Sequence, residues 1–145
     1  MEMSSKMRYA LLALLVLARY YEQGKVLQIE QIASLQQIPD RYLGQLLMML
    51  RRYGLVRSQR GAKGGYLLNK APQEITLLQI LACMEGSKSQ EECNYSESLN
   101  MEDTIIQEIW QEATIAAMAV FGDYTLQDLC DKQQQRQVLD PMYHI

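Results

Sequence analysis

The sequence predicts a mainly α-helical protein with one small β-hairpin, and three observations carry that expectation. Only three prolines and eight glycines interrupt 145 residues, whose long stretches of Leu, Gln, Ala and Met favour helices. Apolar residues recur at helical spacing, most clearly Leu43, Leu46, Leu47 and Leu50 at i, i+3, i+4, i+7. One stretch departs from the pattern: RSQRGAKGGYLL, residues 57 to 68, places three cations and three glycines before an apolar run. The length suits one domain with a helical appendage and is enough to bury a core.

A first helix is expected from Ser5, as N-cap, to about Gln23, with Gly24 as its stop. Its run YALLALLVLA, residues 9 to 18, follows Lys6 and Arg8 and so imitates a secretory signal. It falls short of the ~20 apolar residues a membrane span needs. Arg19 to Glu22 continue the helical pattern without a cleavage-like break, so it reads as a core helix. Together with the odd number of cysteines, this points to a cytoplasmic chain with no membrane association.

Residues 26 to 29, VLQI, read as a short extended piece before a second helix, about Ile29 to Gln36. Pro39 and Asp40 announce a third, about Asp40 to Tyr53, ending at Gly54. Its leucine stripe faces inward; Arg41, Gln45, Met48 and Arg52 share the opposite side. Two short helices joined by a tight turn, the second with exposed Arg and Gln near its start, form a helix-turn-helix.

After Gly54, LVRSQ alternates apolar and polar, the glycine-rich turn follows, and YLLN reads as a second strand. A nucleotide-binding loop is excluded. That chemistry needs a Lys after the glycines, then Ser or Thr, then a helix whose N–H groups converge on the phosphates. Here Lys63 precedes Gly64 and Gly65, and a strand follows. A hairpin directly after a helix-turn-helix is a wing, and Gly61, Gly64 and Gly65 would let its backbone turn tightly and approach DNA closely.

ITLLQILACMEG, residues 75 to 86, predicts a helix stopped by Gly86. Residues 87 to 100 read as a polar loop. The longest helix spans about Met101 to Phe121, and its apolar surface is wider than one stripe. Ile105, Ile106, Ile109, Trp110, Ala113, Ala117, Val120 and Phe121 are therefore assigned to a homodimer interface, the usual partner surface of two-fold DNA readers. TLQDLCDK, residues 125 to 132, adds a short helix, and a glutamine-rich tail, 133 to 145, is expected to be loosely ordered. The organisation is thus a winged helix-turn-helix domain over 1 to 74, a helical dimerisation and sensor region over 75 to 132, and the tail.

The charge distribution says more than the net −3. Residues 41 to 73 hold seven cations (Arg41, Arg51, Arg52, Arg57, Arg60, Lys63, Lys70) and no Asp or Glu, whereas residues 74 to 145 hold thirteen anions against three cations. One basic segment inside an acidic chain is the footprint of a nucleic-acid contact surface. Arg41 at the helix start suits a bidentate contact to guanine, and Gln45 suits adenine or a phosphate. Arg51, Arg52, Arg57 and Lys63 suit phosphates, and Arg60 suits the minor groove. Tyr42, Gly61, Gly64, Gly65 and Tyr66 complete the DNA-binding candidates. No nucleophile–base pair and no histidine before the tail residue His144 support catalysis, so the chain is not expected to be an enzyme.

SSKMRYALLAL, IASLQQIPDRYLGQLLMMLRRYGLVRSQRGAKGGYLL, ITLLQIL, IWQEA and TLQDL together resemble the IscR/NsrR/CymR-like family of winged-helix transcriptional regulators, many of them repressors, over nearly the whole chain. The resemblance implies a homodimer on double-stranded, pseudo-palindromic DNA, with helix 40 to 53 in the major groove and wing 57 to 68 in the flanking minor groove. It places Arg41 and Gly44 at base-contacting positions. The family's iron–sulfur cluster regulator carries glutamate where Gly44 stands, so the operator is expected to differ.

The resemblance also raises a cofactor, since members that sense iron, nitric oxide or redox state hold an iron–sulfur cluster, here expected as the 2Fe–2S type, through three cysteines before the long helix. This chain has one cysteine there, Cys93; the other ligand positions fall near Ser98, Thr104 and Gln107. Glu91, Glu92 or Asp103 would have to complete a site around Cys93. Cys83 and Cys130 lie outside the motif and read first as small buried hydrophobes. Two forms of control therefore stand open: a cluster with a non-standard ligand set, or a cluster-free regulator answering to a regulatory protein partner or to thiol oxidation. A protein-interaction module that never touches DNA is the remaining alternative, and it has no use for the anion-free segment.

Overall fold

The structure, a computed structural model, describes residues 2–85 and 100–139. Six helices and one antiparallel hairpin follow in the order α1 (Ser5–Arg19), α2 (Ile29–Gln36), α3 (Asp40–Tyr53), β1 (Val56–Gln59), β2 (Gly65–Leu68), α4 (Leu77–Glu85), α5 (Met101–Asp123) and α6 (Leu126–Leu139). This is the mainly helical, winged architecture read from the sequence.

The amphipathic spacing decides what each helix buries. In α1, Met7, Ala10, Ala13, Leu14, Val16 and Leu17 lie in the core. The N-cap is Ser4 rather than the expected Ser5: its Oγ accepts from the Met7 N–H at 3.1 Å. The helix also ends at Arg19, not Gln23, and turns carry the chain on to Gly24. Leu43, Leu46, Leu47 and Leu50 of α3 form the buried stripe, meeting Ile32 and Ala33 of α2 in one cluster with α1.

The turn between α2 and α3 rests on Gln37, which takes the left-handed conformation at φ 55° and ends α2 without a glycine. Its neighbour Ile38 is buried, anchoring the turn in the core. Gly54 ends α3 at φ 92°, as the sequence indicated.

Within the C-terminal half, the starts of α4 and α6 are each capped and lie side by side. Thr76 and Gln79 exchange backbone-to-side-chain hydrogen bonds at 3.2 and 3.1 Å, and Thr125 and Asp128 do so at 2.8 and 3.2 Å. Between these two helix starts the backbones also pair: Leu77 N–H donates to Tyr124 O at 2.9 Å, and Leu126 N–H to Ile75 O at 2.8 Å. Leu126 is fully buried as a result.

Three expectations are corrected in this half. Helix α4 starts at Leu77 rather than residue 75; Gly86 lies outside the described residues. Gly122 does not stop α5, which continues to Asp123; the glycine sits over Leu78 of α4, whose Cδ2 lies 3.6 Å from where a Cβ would be. The supposedly loose residues 133 to 139 are helical and continue α6. Glutamine is a good helix former, and the packing of α6 on α1 and on a 3₁₀ turn at Pro72–Glu74 supplies what the polar sequence did not advertise.

Candidate nucleic-acid interface

Helix α3 and the hairpin lie next to each other in the chain and share one basic surface. On α3, Arg41, Gln45, Met48 and Arg52 are all exposed, opposite the buried leucines. Asp40 occupies the first turn, where a carboxylate suits the helix dipole, and Arg51 and Arg52 occupy the last. Tyr42 is half-buried, and Tyr9 of α1 meets its ring in an edge-on contact, centroids 5.5 Å apart. Its ring therefore fastens the start of α3 to α1, a packing role that the sequence assignment to DNA left out.

The wing is short and firmly rooted. Val56 pairs with Leu68, Arg57 with Leu67, Ser58 with Tyr66 and Gln59 with Gly65. Val56 and Leu68 are buried at its base, while Arg57, Ser58, Gln59, Arg60, Gly61 and Lys63 are exposed toward the tip. Leu27 adds a third rung: its N–H donates to Tyr66 O at 2.9 Å, and the Tyr66 N–H donates to Leu27 O at 2.7 Å. Arg51 ties α3 to the wing through Nη1, which donates to Ser58 Oγ at 3.1 Å. Asn69 closes the base, its Nδ2 donating to Gly54 O at 3.0 Å.

The glycines of the wing divide into different tasks. Gly61 needs its positive φ of 112° and has open space around it. Gly64 is buried, and a Cβ there would lie 2.3 Å from Gln59 O, inside the hairpin's own backbone. At Gly65 a Cβ would lie 2.3 Å from Leu27 O. Gly64 and Gly65 are thus required by contact with this chain, a reason the sequence reading did not give. Leu27, Tyr9, Ser58 and Asn69 were missed altogether; Leu27, Tyr9 and Asn69 act through partners distant in sequence, and Ser58 through Arg51 on the preceding helix.

Helix α5 presents a different surface. It buries none of its residues in the protomer: Ile105, Ile106, Ile109, Trp110 and Val120 are exposed, Ala113 is exposed, and Ala117 and Phe121 are partly covered.

The family model for Rrf2, described as iron-dependent transcriptional regulators, matches residues 3–132. The chain belongs to the Rrf2 family. Among curated Rrf2-like relatives, it is 36% identical over 129 residues to the HTH-type transcriptional regulator CymR of Bacillus subtilis, covering 89% of each chain. It is 32% identical over 141 residues to the HTH-type transcriptional regulator IscR of Pectobacterium atrosepticum, covering 97% of this chain and 85% of that one. Among solved structures it is similar to IscR of T. potens, with TM-score 0.79 and 29% identity over 94% of this chain and 91% of that one. It is also similar to CymR of B. subtilis, the global cysteine regulator, with TM-score 0.75 and 33% identity over 91% and 98%. This Rrf2 protein is accordingly an HTH-type DNA-binding transcriptional regulator, not an enzyme.

Iron in the family description calls for a test of the donor set. Among the described residues, no three His, Cys, Asp or Glu side chains gather where they could hold a metal. At the family's ligand positions on α5, Thr104 is a hydroxyl already donating to Asn100 O at 3.1 Å, and Gln107 is an exposed amide. Cys83 sits on α4 with its Sγ 3.6 Å from Met49 O, and Cys130 sits on α6. Burial pushes both thiols above their ordinary range; Lys6 opposes the shift at Cys83, while at Cys130 Asp131 adds to it and Arg19 opposes it. With no such cluster of donors among them, the described residues do not fit a metal centre. Cys93, Glu91, Glu92 and Ser98 lie outside the described residues. No helix among the described residues is long and apolar enough to cross a membrane.

Proposed function

We propose that this protein works as a homodimer that reads a pseudo-palindromic DNA duplex, laying α3 in the major groove and the wing along the flanking backbone and minor groove. The observation that carries this reading is the joining of two surfaces on one chain. One is the set of exposed basic residues on α3 and the hairpin, drawn from a segment, 41 to 73, without Asp or Glu; the other is the apolar, exposed surface of α5. In this reading Arg41 and Gln45 contact base edges, Arg51, Arg52, Arg57 and Lys63 hold phosphates, and Arg60 enters the minor groove. Gly61 shapes the wing tip, and Tyr42, Gly64, Gly65 and Tyr66 hold these groups in place. Residues 1 to 74 act as the reading domain and residues 75 to 132 as the pairing and signal-receiving region.

Control is proposed to be cluster-free, through a partner protein or a thiol. Thr104 and Gln107 at the ligand positions support this, as does a single cysteine, Cys93, in the segment before α5. Oxygen-free purification with iron and acid-labile sulfide analysis tests it: iron-free protein that binds DNA is expected. Near-stoichiometric iron lost in Cys93→Ala would replace this reading with a cluster built on unusual ligands.

Selection of duplexes from a random pool tests the reading of DNA itself. Enriched sequences are expected to carry two inverted half-sites about one helical turn, roughly 10 bp, apart. Failure to enrich any sequence would refute it.

A further inference from the structure

We infer that Met48 is a specificity-determining residue that reads the C5-methyl group of a thymine from the groove-facing side of α3; the inference rests on the proposed reading of DNA by that helix. Arg41, Gln45, Met48 and Arg52 lie on one face of α3, and all four are exposed. Met48 is the large apolar member, 49% exposed, between two arginines and a glutamine. About half of this thioether side chain stays open at the centre of a basic surface. The thymine methyl is the one apolar group that base pairs display in the major groove, and the flexible, polarisable methionine side chain adapts to such a contact.

Gly44 strengthens the assignment. It lies inside α3, where glycine is destabilising relative to alanine. The fold does not demand it: it is absent from the positive-φ glycines, and a Cβ there would find nothing within 4 Å. Side chains on a helix lean toward its N-terminus, over the turn before them. Met48 therefore leans toward the turn that holds Gly44, and the missing side chain there leaves that turn bare, so the helix can come close to a base edge and bring the thioether within reach.

The test uses duplexes selected by the full-length protein, with each thymine replaced in turn by uracil, which removes the methyl group alone. At one thymine per half-site the wild type is expected to lose about fourfold in affinity, the value of one buried methyl-sized group, and roughly fifteenfold when both half-sites are changed. Met48→Ala should bind the thymine and uracil duplexes equally at that position, with its other preferences intact. If uracil shifts neither protein at any position, or shifts both alike, the inference is overturned. Arg41→Ala separates the two levels. Loss of its sequence preference beside a wild type indifferent to uracil overturns the role of Met48 alone. Retention of full preference by Arg41→Ala removes α3 as the reading helix, and the role of Met48 falls with it.

Discussion

Trp110 offers the strongest single test of the dimer. It stands on α5 with 74% of its surface open in the protomer, beside Ile106 and Ile109. A tryptophan buries on the order of 150–250 Å² when fully covered, so roughly 150 Å² of Trp110 is free to be covered by a second copy. At ~25 cal/mol/Å² that area is worth about 4 kcal/mol per protomer, and about twice that for the symmetric pair. Association realises only part of such a sum, because ordering and desolvation oppose it. If half survives, Trp110→Ala weakens the dimer by several hundredfold, about 4 kcal/mol. Sedimentation equilibrium over nanomolar to micromolar protein reads this directly. Trp110 supports no core contact in the protomer, so the variant should keep its helical circular dichroism. A wild type that stays monomeric at tens of micromolar would refute the reasoning, and so would a variant with an unchanged dimer constant.

Two further outcomes follow from the geometry. Gly65→Ala sets a Cβ against the backbone of Leu27, breaking the two hydrogen bonds between Leu27 and Tyr66; it should cost about 2–4 kcal/mol of stability, read from the urea midpoint, from lost hydrogen bonds and forced backbone. Because burial raises the Cys83 and Cys130 thiols, both keep their protons in the folded state at pH values where the unfolded chain has begun to lose them. Their contribution to stability is thus complete below the ordinary thiol range and is lost as pH climbs through the raised values, and native alkylation at pH 8 followed by mass spectrometry should find both slower than in urea.

How much of this was legible in the sequence depends on how local each cause is. The leucine stripe of α3, the stop at Gly54 and the two strands flanking the glycine turn follow from spacing and from residue chemistry within a few positions. The basic face was legible for the same reason, since its cations sit in one contiguous, anion-free segment. What escaped depends on partners far along the chain. Gly64 and Gly65 looked like groove-facing glycines, yet Gly65 is fixed by Leu27, nearly forty residues earlier. The helix over residues 133 to 139 was hidden because its polar sequence shows no stripe; residues 134 to 139 are exposed and extend a helix whose buried residue is Leu126. Gly122 sits one residue inside the end of α5, over Leu78 of α4, a neighbour that the local sequence does not show.

The central claim, a dimer gripping DNA through the anion-free face, is tested most directly by the salt dependence of binding to a selected duplex. In the proposed reading Arg51, Arg52, Arg57 and Lys63 would hold four phosphates per protomer and eight per dimer, so log K should fall with log salt at a slope of about −7. Arg52→Ala combined with Arg57→Ala should bring that slope to about −4. A wild-type slope of about −2 or shallower, or a slope that ignores the double substitution, would place the DNA on some other surface and contradict the account.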